Sequence, residues 1–525
     1  MTRKKKKASK KFELLDQSSE WTFDKLKEFD YHIGRIAEEY LGLDTYPNQI
    51  EVISSEQMLD AYSSVGLPVS YPHWSFGKQF LNIQKSYHRG EMGLAYEIVI
   101  NSNPCICYLM EENTMCTQTL VMAHAAYGHN AFFKGNYLFK EWTDADAIID
   151  YLVFAKRYIL QCEEEHGEEA VEELLDSCHA LMDYGIDLYK RPPKISIEEE
   201  RERQEEREKY LQSQVNEFWL RTVPEKKKEE KDFEPFPSEP QENLLYFFEK
   251  NAPNLKTWER EIIRIVRKMA QYFYPQRQTK LMNEGFACFT HYQIMNQMWE
   301  EGLINETFML EFLKSHTAVT YQPDFDSPHY SGINVYSLGF EIFMDIKRIC
   351  EEPTDEDKKW FPNMAGKDWR KEIDFSMRNF KDESFIAQYL SPNLIRNFKF
   401  FGVIDDDRER FIKINEIHDD EGYVTIRKML SYHYNIGITM PQITISEVDI
   451  RGDRSLKLVH QLRDRRLLQR RNAIATLNHV HRLWGFDVEL NSIDEDNKTV
   501  DTYSTISGTE EDPKKLDSKS GFVYP

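Results

Sequence analysis

The chain has 525 residues, enough to bury a large core in roughly two to four domains, and its 41% hydrophobic and 13% aromatic content is that of a globular protein. A net charge of −22 argues against a general nucleic-acid or anionic-membrane binder, since both need a positive surface. No apolar run approaches the ~20 residues of a membrane span, and the basic stretch 1–11 has no apolar segment after it, so a solvated tail and a cytoplasmic protein are expected.

Residues 21–41 place Leu26, Phe29, Ile33, Ile36, Ala37 and Tyr40 at helical spacing, with Asp24 as an early cap and Gly42 and Pro47 as stops. A short helix over 57–64 ends at Gly66 and Pro68. The aromatic stretch 71–78 reads as a loop, and 90–99 as a helix carrying Glu91 and Glu97. Residues 104–111 read as a strand, with Cys105 and Cys107 on one face as buried thiols. The odd count of seven cysteines fits a reduced compartment. A helix over 117–127 carries His124, and Gly128 is expected to end it.

Helices are expected over 145–167 and 168–188. The charge run 195–231 reads as an exposed helix or disordered linker, and 232–240 as an acidic connector. Helical periodicity returns over 242–250, 257–274, 279–300, 308–315 and 336–351. After about residue 393 short strands are expected over 398–404, 411–417, 443–449 and 456–460, with helices over 426–434 and 472–483. Asp449 to Arg454 reads as a tight turn in which Gly452 supplies backbone freedom. The fold class is therefore α+β, mainly helical. A basic tail (1–20) precedes a large helical domain over 21–392, in which 195–240 is a linker or insertion. A smaller α+β domain follows over 393–490, then a disordered acidic tail over 491–525.

Two histidines, His124 and His129, sit in the small-residue stretch Val121–Asn130. Residues five apart do not share a face of an α-helix, so the two converge only if the helix changes course at Gly128. Far downstream, Glu284 and His291 lie seven apart on nearly one helical face. A metal site needs three or four imidazole, carboxylate or thiolate groups on rigid elements. His124, His129, Glu284 and His291 are the metal candidates, with Glu97, His73 and His88 in reserve. The expected cofactor is a divalent metal, zinc first. Glu97 is the first candidate for general base, with Glu91 and Glu111 behind it. Arg277 or Lys280 could hold an anionic group of a substrate.

The segment Asn283-Glu284-Gly285-Phe286-Ala287 is similar to the one that supplies the third zinc ligand in gluzincin aminopeptidases. Their His-Glu-x-x-His is absent, because Ala125 stands where the Glu would be and the second histidine comes one residue later. A broader resemblance rests on Tyr71-Pro-His-Trp-Ser-Phe-Gly-Lys78, Ala123-His-Ala-Ala-Tyr-Gly-His-Asn130, Tyr274-Pro-Gln-Arg-Gln-Thr-Lys-Leu-Met-Asn-Glu-Gly285, Arg378-Asn-Phe-Lys-Asp-Glu-Ser384 and Asp449-Ile-Arg-Gly-Asp-Arg454. Together these resemble the stage V sporulation protein R (SpoVR) family over about residues 23–490. Departures are small: Phe286, Ala131 and Val335 replace the residues common there. The resemblance implies a role in spore cortex, that is peptidoglycan, formation or in stationary-phase stress. It also implies a pathway shared with a serine protein kinase and a von Willebrand-type protein. Two functions are then expected to compete: a metal-dependent amide or peptide hydrolase, and a non-enzymatic regulator or scaffold of the same pathway.

Overall fold

The structure, a computed structural model, describes residues 12–63, 67, 69–88, 97–188, 236–404, 413–415, 419–463 and 466–505. The expected charge run 195–231 lies outside the described residues. The fold is α+β and mainly helical, with small sheets. Among the described residues no helix is long and apolar enough to cross a membrane. Two compact units form, one from Met1–Glu173 with Gln271–Met440 and one from Leu174–Ala270 with Pro441–Pro525.

In the first unit the central element is the helix Lys280–Glu300. Fourteen of its residues are buried, as expected of a helix that is apolar nearly all round. Two glycine contacts set its place. A Cβ on Gly285 would lie 2.3 Å from the carbonyl carbon of Gly339, so the helix Val335–Glu351 packs backbone to backbone against it. A Cβ on Gly128 would lie 2.7 Å from Ala287 Cα, which brings the His-bearing helix equally close on another side. The N-terminus of the central helix is held by Asp382, whose carboxylate accepts from the backbone N–H of Leu281 and of Met282, both at 2.9 Å.

A three-stranded sheet lies beside these helices. Its strands are β1 (Asn48–Ile53), β2 (Glu97–Ile100) and β3 (Cys105–Met110), with β3 central, parallel to β1 and antiparallel to β2. Alternation gives it two faces: Val99, Cys107 and Leu109 join the main core, while Ile98, Ile100 and Ile106 join a smaller cluster with Met58 and Leu59. Both thiols of the Cys105–Cys107 pair are buried, and all seven cysteines are free and buried.

Several elements differ from expectation. The first helix runs Phe23–Ile36 with Thr22 as its cap, then continues as a π-helical turn, Ala37–Leu41. Within the stretch expected as a loop, a helix begins at Trp74 and runs to His88. Glu97 opens a strand rather than riding a helix, because the β-branched run Ile98-Val99-Ile100 fits a pleated sheet; residues 89–96 lie outside the described ones. Around residue 393 the chain stays in the first unit. There the helix Asp420–His433 packs on Asp382–Tyr389, with Ser431 Oγ donating to Glu383 O at 2.9 Å and Arg427 Nε to Leu390 O at 2.9 Å. Short strands β4 (Gly402–Ile404) and β5 (Lys413–Asn415) pair antiparallel.

The second unit is built on a four-stranded sheet of β6 (Gln442–Val448), β7 (Leu456–Gln461), β8 (Val488–Ile493) and β9 (Thr499–Ser504), in that order. The parallel pair β7 and β8 is joined through the helix Arg470–Trp484, and the other neighbours are antiparallel. Part of the expected acidic tail is thus sheet: β8 and β9 extend to Ser504, with Tyr503 buried. At the turn before β7, Asp449 Oδ1 accepts from the N–H of Gly452 at 2.8 Å, while Asp453 Oδ1 accepts from the N–H of Ser455 at 2.9 Å.

Candidate metal centre

The two histidines reach one another through a change of helix type. The helix that starts at Met115 does not stop at Gly128. It passes into a π-helix over Met122–His129 and resumes as an α-helix to Gly135. In a π-helix the backbone hydrogen bond reaches five residues back, so residues five apart come to lie nearly over one another. His124 and His129 are such a pair, with ring centroids 4.6 Å apart. Gly128 serves the close approach to Ala287 instead of a cap. The segment is pinned on both flanks. Tyr127 donates to Asp30 Oδ1 at 2.8 Å, and the Asn130 amide is bonded to Tyr46 and Asn48 at the entrance to β1.

Two carboxylates face these imidazoles. Glu97, the first residue of β2, places Oε1 3.2 Å from His124 Nε2 and 4.0 Å from His129 Nε2. Glu284, from the central helix, places Oε2 3.8 Å from His124 Nε2 and 3.5 Å from His129 Nε2. An ion bound tetrahedrally through bonds of 2.0–2.2 Å separates its ligand atoms by about 3.4 Å. The four observed separations bracket that value. The imidazoles are buried, whereas the side chains of Glu97 and Glu284 keep 20% and 19% of their exposure, so access is from the carboxylate side.

Hydrogen bonds behind the ring aim both Nε2 atoms at its centre. His129 Nδ1 lies 2.9 Å from Asn283 Oδ1, an acceptor only, so Nδ1 carries the proton and the Nε2 lone pair is free. His124 Nδ1 lies 2.9 Å from His291 Nδ1, and His291 Nε2 lies 2.8 Å from His316 Nδ1. If His124 presents its Nε2 lone pair to the centre, each proton in this file of three imidazoles is assigned: His124 donates to His291, and His291 donates to His316. Cys288 stands one turn beyond Glu284 on the same helix, and its sulfur forms a second close group with His124 and His291. Burial pushes that thiol up, so it stays protonated.

Charge is unbalanced in the ring. Burial, reinforced by the Glu284 charge and eased by His124, pushes the Glu97 carboxyl up to about 7. Burial works against the charged form of His124 too, but the adjacent Glu97 prevails and raises it. Burial lowers His129 to about 4, His316 to about 4 and His291 well below the ordinary range. Glu97 Oε2 is buried and has no hydrogen-bond partner among the described residues. Two carboxylates facing one raised and one lowered imidazole, with one oxygen still unpartnered, are a donor set that a divalent cation neutralises.

The structure thus brings His124, His129 and Glu284 together, and adds Glu97 to the same ring. His291 stands behind His124 rather than in the ring. Arg277 is exposed, with Nη2 3.5 Å from Met440 Sδ, and no ion pair joins it to Glu97 or Glu284. His73 is buried elsewhere, its Nδ1 2.6 Å from Ser75 Oγ, and the His88 side chain lies outside the described residues. Sequence reasoning missed Asn283 and His316 as orienting groups. Asn283 was within reach, since it precedes Glu284; His316 carries no local signal.

Comparison with known proteins agrees with this architecture. A family model described as "SpoVR like protein" matches residues 20–439, and one described as "SpoVR-like C-terminal domain" matches residues 441–495, so the two meet at the last of the three points where the chain passes between the compact units. A protein of Escherichia coli (strain K12), named "Uncharacterized protein YcgB", is 60% identical over 484 residues, covering 92% of this chain and 94% of its own length. No solved structure matches. With the helical unit, the small C-terminal sheet and a relative of this identity all in agreement, the chain belongs to the SpoVR family.

Proposed function

We propose that His124, His129 and Glu284 hold one divalent cation, zinc first, with Glu97 beside it as general base, and that the centre serves a hydrolase acting on an amide or peptide bond. The observation that carries this reading is the set of four N···O separations between 3.2 and 4.0 Å. Such a cation polarises a carbonyl and makes a bound water acidic. Glu97 Oε2, buried and without a hydrogen-bond partner among the described residues, is the atom placed to take the water's proton. Asn283 and His291 hold the two imidazoles in their donor tautomers. Membership of the SpoVR family supports a place in cortex peptidoglycan formation or the stationary-phase response. It also supports a cytoplasmic setting, in a pathway with a serine protein kinase and a von Willebrand-type protein.

One observation favours a second reading. Four protein donors fill a tetrahedron, and closed sites are structural whereas catalytic ones keep a position open. If Glu97 is a ligand rather than a base, the centre stabilises a regulatory or scaffolding protein. Metal analysis and cobalt substitution of the purified chain test both. The expected result is one metal per chain, falling below about a tenth in His124→Ala and Glu284→Ala but kept in Glu97→Gln, with a cobalt spectrum that responds to acetohydroxamate. Metal lost with Glu97→Gln and a spectrum indifferent to the probe select the closed structural centre. Absence of metal from the wild type, with unchanged stability in all three variants, rejects both.

A further inference from the structure

A second site lies in the first unit, away from the metal ring. Between the turn after helix Pro392–Asn397 and the loop 322–333 is a cavity of about 720 Å³, within the range of sites for small organic ligands. Its walls are aromatic. Phe325 stands edge-on to Tyr330 at 5.3 Å and to Phe401 at 5.4 Å, and Phe398 stacks on Phe400 at 5.3 Å. Ile426 and Leu430 add apolar wall. Phe325 is more than half exposed, so a large ring is held at the mouth where burial does not keep it.

The charge of the lining is one-sided. Among the described residues Asp324, Asp326 and Glu341 line the cavity against the imidazole of His433 and one ammonium, Lys399, which is already paired with Asp324 at 2.8 Å. Glu341 is half-buried and has no hydrogen bond or ion pair among the described residues. Asp345, four residues on along the same helix, adds negative charge and spends its own Oδ1 on Arg348 at 2.7 Å. The backbone of the turn is also unusual. Lys399 has φ +53°, with Phe400 N–H bonded to Ile395 O at 3.0 Å, the helix-ending position that glycine most often fills. A lysine there sets Phe398 and Phe400 side by side and reaches across the mouth to Asp324.

We propose that this cavity binds an alkylammonium or guanidinium group on an apolar stem, with Glu341 as counter-ion and the rings of Phe325, Tyr330 and Phe401 around the stem. Aromatic faces attract cations, and a carboxylate without a partner gains most from an incoming positive charge. An anionic ligand would face three carboxylates. The same chemistry is offered by a free amine and by a lysine side chain of a peptide, so the test separates them. The metal centre shares none of these groups, and the proposal stands or falls independently of it.

Calorimetric titration of the full chain with phenethylamine, 2-phenylethanol and phenylacetate tests the claim. The amine is expected to bind saturably and at least about tenfold more tightly than the alcohol, with no binding of the anion. Glu341→Gln should remove the margin between amine and alcohol, while Phe325→Ala, a change at an exposed ring, should weaken both. Ac-Phe-Lys-amide binding more tightly than phenethylamine identifies a peptide as the source, and the reverse a free amine. Equal affinity for amine and alcohol, a margin that survives Glu341→Gln, or no saturable binding of any cation up to about 10 mM overturns the proposal.

Discussion

Two buried histidines, one in each compact unit, occupy opposite chemical situations. His460 sits on β7 opposite Ser492 of β8, and its Nδ1 is 3.0 Å from the serine hydroxyl. Burial lowers it, no carboxylate among the described residues is paired with it, and the hydroxyl satisfies it. His124 is buried to a similar degree, but its Nδ1 meets another imidazole and its Nε2 meets two carboxylates. The first is a polar group made tolerable inside a sheet; the second is an imidazole whose outer nitrogen faces a concentration of negative charge. What separates a structural histidine from a ligand is therefore the company of the second nitrogen, not burial.

That contrast can be broken at its support. The largest effect is expected from Gly285→Ala, whose new methyl would meet Gly339 backbone at 2.3 Å with no flexible neighbour to yield. A loss of about 3 kcal/mol in denaturant unfolding is expected, together with weaker metal binding, because Glu284 rides on the same helix. Unchanged stability would mean that the two helices do not press together there.

The file of imidazoles sharpens the contrast. His316→Gln touches no ring atom, yet should lower metal affinity about 10- to 100-fold, read by competition with a chromogenic chelator. Rescue should be partial in His316→Asn and absent in His316→Phe. Affinity equal to wild type in all three would reduce the His291–His316 bond to ordinary core satisfaction. The smallest effect belongs to the other unit. His460→Ala should cost about 1–2 kcal/mol of stability, by stranding the Ser492 hydroxyl, and leave metal content untouched. A metal deficit in that variant would remove the distinction between the two histidines.

Much of the site was legible as residue types, less of it as geometry. His124, His129 and Glu284 stood out because imidazoles among alanines and a carboxylate before a glycine are costly choices without a purpose. Glu97 was named but put on a helix, since a four-residue strand gives little local signal and only its pairing with β3 defines it. Strands β4 to β7 were visible from alternation, whereas β8 was not read as a strand and β9 was lost in a polar segment whose one buried ring, Tyr503, gives little periodic signal. His316 was invisible because its role exists only across a helix packing that no local pattern encodes.

The wider coil between Met122 and His129 carries one further consequence. Relative to an ordinary α-helix it holds one surplus residue per turn, so it acts as a ruler with a longer unit. Removing a single alanine, Ala125 or Ala126, would let the segment relax to the common four-residue step and leave the paired imidazoles facing the same way. The peculiar spacing of this motif is then one amino acid away from the arrangement familiar in zinc hydrolases. A search that counts only in fours would pass over it.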